Sequence, residues 1–163
     1  MTLGACASAP PQVYNRPNPA PGPDTAGSSG VPYVTRPLPG QRGRIIDTAA
    51  SMLGQPYRFG GAAPGGFDCS GLVVYAAAGA GIHVPRTAHE QIGFGKPIAR
   101  GQVQAGDLVF MHLAHKELHV GIAIDGERFI HAPSTGGHVR IDSLAASPYA
   151  RGYLGARRIV SAE

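Results

Sequence analysis

The stretch Phe67-Asp68-Cys69-Ser70-Gly71-Leu72-Val73-Val74-Tyr75 decides how the rest of the chain is read. It leaves a loop rich in glycine (Gly60, Gly61, Gly65, Gly66) and enters a segment, Leu72 to Ala80, that is apolar on nearly every side. A helix apolar all round belongs in the middle of a fold. Asp68 has the residue type and position of its N-cap, and Gly79 and Gly81 close it. Cys69 then falls in the first turn, near unpaired backbone N–H groups and the positive end of the helix dipole. That position is expected to lower the thiol's pKa and supply thiolate, which would make Cys69 a nucleophile.

Working outward, Ile45, Ile46, Ala49, Ala50, Met52 and Leu53 are spaced for one face of a helix over residues 44–53, ended by Gly54 and barred from continuing by Pro56. Residues 55–66 form a loop that carries Tyr57 and Phe59. Thr87-Ala88-His89-Glu90 has capping-box spacing and predicts a short helix over 88–92. The pattern then changes to strands: Leu108–Met111, His119–Ile124, Arg128–Ala132, His138–Ile141 and Ala156–Val160. Helices first and an antiparallel sheet after is the α+β pattern.

Strands 119–124 and 128–132 flank Asp125-Gly126 and read as a hairpin. His119, Gly121 and Ala123 share one face; Val120, Ile122 and Ile124 share the apolar other. A two-residue turn would send His119 and His131 to opposite faces. For both to share a face, a three-residue loop or a bulge is required around Asp125 and Gly126. A central helix lying over the small-residue face would bring Cys69 to His119. In that arrangement His119 takes the thiol proton or pairs with the thiolate, and His131 orients the His119 ring through its other nitrogen. The Cys69 backbone N–H and Tyr57 are candidate oxyanion donors.

Composition bounds the alternatives. Nine of the fifteen prolines lie in residues 1–40, among Gly, Ser, Ala and Thr, so this segment buries too little to order itself and reads as a tether. The folded domain is expected over 41–163. Net charge is +4, with four arginines against Asp24 in residues 1–44 and ten basic against nine acidic groups in the remainder. The surplus lies mainly in the tail. No basic cluster is interleaved with aromatics, which argues against nucleic-acid binding. Cys6 and Cys69 do not form a disulfide framework, since a bridge would consume the nucleophile. Zinc on Cys69, His119 and His131 is disfavoured by the lack of a close-spaced ligand pair and a fourth ligand, so no metal or other cofactor is expected. His83, His89, His112, His115 and His138 read as surface or loop residues, and 112–118 as a histidine-rich loop near the hairpin mouth.

Six ordered segments now resemble the NlpC-type family of bacterial cell-wall cysteine endopeptidases: residues 54–61, 67–73, 84–87 with Gln91, 104–110, 119–122 and 129–132. The resemblance implies a papain-like α+β fold, with the nucleophile at a helix N-terminus packed on a five- to six-stranded antiparallel sheet. It implies a Cys69–His119–His131 triad, Tyr57 beside the nucleophile, and Asp68 and Ser70 beside the substrate cleft; Asp68 also has the plain reading of a helix cap. It further implies a monomer in the cell envelope or periplasm, whose partner is peptidoglycan and whose reaction cuts the D-γ-glutamyl–diaminopimelate bond.

Two alternatives keep the nucleophile: an N-acetylmuramoyl-L-alanine amidase and a secreted wall-targeting toxin. A third is a non-catalytic wall-binding lipoprotein. Leu3-Gly4-Ala5-Cys6 resembles a lipobox, and lipidation of Cys6 would attach the chain to the outer membrane. No charged and apolar leader precedes it, so either the leader is missing or the match is chance. No later stretch approaches the ~20 apolar residues of a spanning helix.

Overall fold

The computed structural model describes residues 38–114, 117–134 and 137–161. Cys6, His115 and nearly all of the expected tether lie outside the described residues. The chain opens with α1 (Gly40–Ala50), which buries Gly43, Ile45, Ile46 and Ala49. It starts and ends earlier than the 44–53 spacing predicts. A turn at 51–54 follows, with Gly54 at φ +85° and its N–H bonded to the Val139 carbonyl.

A two-stranded ribbon, β1 (Ala62–Ala63) and β2 (Gly66–Phe67), leads into α2 (Cys69–Gly79). As expected, Asp68 caps α2, accepting the Gly71 N–H at 2.6 Å. Gly71 has no freedom to become anything larger, because a Cβ there would run into the Gly61 carbonyl. Next comes α3 (Ala88–Gln91), whose capping box joins Thr87 and Glu90 in both directions.

The remainder builds the sheet: β3 (Lys96–Ile98), a 3-10 turn at Arg100–Gln102, β4 (Leu108–His112), β5 (Leu118–Ala123), β6 (Arg128–His131), β7 (Arg140–Ser143), the short α4 (Tyr149–Gly152) and β8 (Tyr153–Arg158). The six strands stand in the order β3-β8-β4-β5-β6-β7, every neighbouring pair antiparallel. The fold is α+β, as the sequence predicts. The edge strand β3 escaped the reading; it is short and carries Pro97, which suits an edge and hides a strand pattern. His138 falls outside β7 and bridges to Pro56 instead.

Two apolar layers flank the sheet. Leu72, Val73, Ala76 and Ala77 of α2 pack with Ile45 and Ile46 of α1 and with Val120, Ile122, Ile124 and Ile130 of the sheet. On the far side Val109, Met111, Ala123, Phe129, Leu144 and Tyr149 form a smaller cluster. The central helix therefore covers the Val120/Ile122/Ile124 face and not the small-residue face. The physical reason is area: three branched side chains offer α2 far more apolar surface than Gly121 and Ala123.

Candidate active site

The hairpin resolves the parity question. Ile122 pairs with Ile130 and Ala123 with Phe129, and the Ile124 N–H bonds to the Arg128 carbonyl, leaving Asp125, Gly126 and Glu127 as a three-residue loop. Asp125 ties that loop by accepting the N–H groups of Glu127 and Arg128. This register puts His119 and His131 on one face. Their rings approach edge to face, with Nε2 of His119 2.7 Å from Nδ1 of His131. Gly121 makes this approach feasible: a Cβ there would lie 2.5 Å from the Phe129 ring and 3.2 Å from the His131 Cβ.

Cys69 comes from the opposite face of the sheet, yet it reaches the same place. Along β5 the N–H groups point alternately to the two neighbours: that of Ala123 bonds to Asp107 beside β4, and that of Ile124 to the β6 side. The Val120 N–H therefore points to the β6 side, beyond the Ile122–Ile130 and Ala123–Phe129 pairing. The Cys69 thiol lies near enough for that N–H and the N–H of Ser70 to favour its charged form. The thiol thus sits one residue from His119, at the place where the two strands part.

The electrostatics correct the thiolate expectation. Burial pushes the Cys69 thiol up, the charges of Asp68 and Glu117 push the same way, and the two N–H groups only partly offset them. The helix N-terminus does not win, because burial outweighs it and its cap is itself an anion. His119 is 5% exposed, and its pKa is pushed down to about 3, first by burial, then by His131 and Arg140. Burial also lowers His131, against the opposing effect of Asp142. All three shifts favour the uncharged forms, the thiol at Cys69 and the neutral imidazole at His119 and His131.

Asp68 is more than a cap. Arg86 grips both its oxygens (Nη1 to Oδ1 3.0 Å, Nη2 to Oδ2 2.7 Å), and the Gly60 N–H donates to Oδ2. Burial would raise Asp68, but Arg86 and the Gly71 N–H outweigh it and hold the carboxyl below its usual range. Ser70 is buried; it donates to Asp68 and accepts from Arg86. Gln91 is fully buried and donates to the carbonyls of Ser70 and Pro85, fixing the start of α2 against α3. Tyr57 is half-buried and packs against the same core cluster as Cys69; burial, then Cys69 and Asp68, raise its phenol. A pocket of about 360 Å³ lies in the glycine loop, lined by residues 58–66, with Phe59 91% exposed at its wall.

Arg86, Asp142, Arg140 and Tyr149 were not singled out by the sequence. Arg86 stands inside one of the six motif blocks, the one local signal available. Asp142 accepts on Oδ2 from His131 Nε2, Arg140 Nε and the Tyr149 hydroxyl, each at 2.8 Å. His83, His89, His112 and His138 are exposed, as expected. Among the described residues no group of three His, Cys, Asp or Glu side chains is arranged to hold a metal.

Residues 54–158 match the sequence profile of the NlpC/P60 family. Among relatives, the chain is 42% identical over 116 residues to the murein DD-endopeptidase MepH of Escherichia coli, covering 68% of this chain and 43% of that protein. It is 36% identical over 121 residues to the murein DD-endopeptidase MepS/murein LD-carboxypeptidase of Escherichia coli, covering 74% and 64%. An NlpC/P60 family protein from Bacillus cereus superposes with a TM-score of 0.70 at 32% identity, covering 77% of this chain and 42% of that one. The peptidoglycan hydrolase RipB from Mycobacterium tuberculosis superposes at 0.65 and 27% identity, covering 75% and 66%.

Proposed function

Because the chain belongs to the NlpC/P60 family, we propose that it is a cysteine peptidase that hydrolyses peptidoglycan stem peptides. The matched relatives are murein endopeptidases and peptidoglycan hydrolases by name, though this chain spans only 43% and 64% of the two named from Escherichia coli. The observation that carries the reading is the pairing of Cys69, at the start of α2 and under the influence of the Val120 N–H, with the residue before Val120: His119, whose Nε2 lies 2.7 Å from Nδ1 of His131.

The chemistry follows from that placement. With Nε2 of His119 committed to His131, Nδ1 is left to act on the thiol. As the sulfur attacks the acyl carbon of the stem peptide, its proton passes to Nδ1 and the carbonyl oxygen gains the negative charge. The first N–H groups of a helix lack intrahelical acceptors, so the Cys69 N–H, with the Tyr57 hydroxyl, donates to that oxygen. One such donor contributes about 3–4 kcal/mol to the transition state. Collapse breaks the C–N bond, the leaving amine takes the proton from His119, and water then hydrolyses the thioester with His119 as base. Asp68 and Ser70, held by Arg86, form the polar wall beside the cleft.

The bond assigned by the resemblance is D-γ-glutamyl–diaminopimelate. The names of the MepH and MepS relatives favour a second reading, the D,D cross-link between stems. In this reading residues 41–163 are the peptidase domain and 1–40 its tether; a peptidoglycan substrate supports a cell-envelope location, and lipidation of Cys6 would be the route to the outer membrane. Mass spectrometry of soluble products from purified sacculi tests both levels. New termini at a stem-peptide bond that depend on Cys69 support the peptidase and name the bond; products cut between glycan and L-Ala would make it an amidase; binding without cleavage would make it a wall-binding protein.

A further inference from the structure

The polar chain does not end at His131. His131 is fully buried, boxed by the Phe129 ring at 4.5 Å and the Tyr149 ring edge-on at 5.3 Å. Its Nδ1 meets His119 and its Nε2 meets Asp142 Oδ2 at 2.8 Å. Asp142 is on β7, opposite Phe129, and its own position is set by the Tyr149 hydroxyl and Arg140 Nε on the same oxygen. From this geometry we propose that Asp142 is a positioning residue that fixes the tautomers of both histidines and so selects Nδ1 of His119 as the base. This rests on the Cys69–His119–His131 reading above.

Donors and acceptors decide the tautomers. An ionised carboxylate only accepts, and Asp142 stays ionised because its three donors outweigh burial and hold it well below the ordinary range. His131 must therefore carry its proton on Nε2 and present a bare Nδ1. The His119 nitrogen 2.7 Å away must then be the donor, so His119 carries its proton on Nε2 and its lone pair on Nδ1. The opposite tautomer would place the Nε2 lone pair of His131 against a carboxylate oxygen, two acceptors at 2.8 Å with no proton between them. One carboxylate thus sets the protons of two rings in series.

Orientation outweighs charge in this role. Arg140 sits on Asp142 at 2.8 Å, so the pair presents little net charge to a His119 imidazolium two hydrogen bonds away. The groups around the chain are Arg140 and Tyr149 at Asp142, His119 at the far side of His131, and Cys69, Asp68 and Glu117 beyond.

The test is imidazole ¹⁵N NMR on the folded protein at neutral pH, paired with kinetics of Asp142→Leu on a soluble stem-peptide substrate. The wild type should show Nε2–H tautomers at both His119 and His131. Asp142→Leu should show mixed tautomers at His131, with kcat lower by about 10–100-fold, the range known for losing a group that orients a metal-bound histidine, and KM within about twofold. An Nδ1–H tautomer at His131 in the wild type overturns the proposal, as does an Asp142→Leu variant with unchanged kcat. If that variant does not fold, the wild-type spectrum decides by itself. A wild type inactive on every stem peptide would sink the peptidase reading and leave the tautomers to be judged by NMR alone.

Discussion

The site has two halves that are built differently. The Cys69 half comes from loops and helix ends: side-chain bonds of Asp68, Arg86 and Gln91 lock the start of α2, the glycine loop is tied to Asp68, and Tyr57 packs on the same core cluster as Cys69. The histidine half comes from strand pairing: His119, His131 and Asp142 stand on β5, β6 and β7 and meet only because the registers bring them level. The halves lie on opposite faces of the sheet and touch where β5 and β6 part. The first half can be perturbed locally, whereas the second depends on the position of whole strands.

The largest effect should come from removing the group that joins them. His119→Gln should lower kcat on stem peptides by about 10²–10⁴-fold, the usual contribution of a positioned acid–base group; steady-state kinetics would show it. Retention of full kcat would detach the histidine half from the chemistry. Gly121→Val attacks the register half through packing, since its first added carbon meets the Phe129 ring and the Ile130 carbonyl. It should cost about 1–3 kcal/mol in urea unfolding and displace His131; unchanged stability would show that the strands have slack.

Acid should also weaken the histidine half. His119 binds a proton at about 3 when folded and at 6.5 when unfolded. Between those values the unfolded chain binds more protons, so stability should fall as pH drops below about 6.5 and the loss should level off near 3. Denaturant midpoints measured from pH 7 to pH 4 test this; a midpoint flat across that window would mean that His119 titrates normally. The smallest effect should be local. Asp68→Ala removes the α2 cap and should cost about 1 kcal/mol, read as a modest fall in Tm, while the His119–His131 NMR signature stays intact. A change in that signature would show that the halves are coupled through α2.

Legibility followed the same division. Asp68 as a cap, the Thr87–Glu90 box and the buried α2 were readable because caps and periodicity are local signals. The three-residue loop at 125–127 was one of two derivable solutions, because side chains alternate along a strand and either an odd loop or a bulge puts both histidines on one face. The side covered by α2 differs from the expectation, since the sequence does not show that β5–β6 pairing stops before Val120 and leaves its N–H to act on a thiol from the apolar face. Asp142 was invisible because its partner is fixed by the β6–β7 register, which pairs His131 with Arg140 and Phe129 with Asp142. The thiolate expectation failed because helix position is visible in the chain, whereas burial and the anion of Asp68 beside the sulfur are not.

What the two halves do when they meet is the central claim: at rest they present a neutral thiol to a neutral imidazole. The direct measurement is the pH dependence of Cys69 alkylation by iodoacetamide, made in a Cys6→Ser background so that one thiol reports. The account predicts a midpoint at or above the value of a free thiol, about 8.5. A midpoint well below that, shifting upward in His119→Gln, would reveal a standing thiolate–imidazolium pair and contradict it.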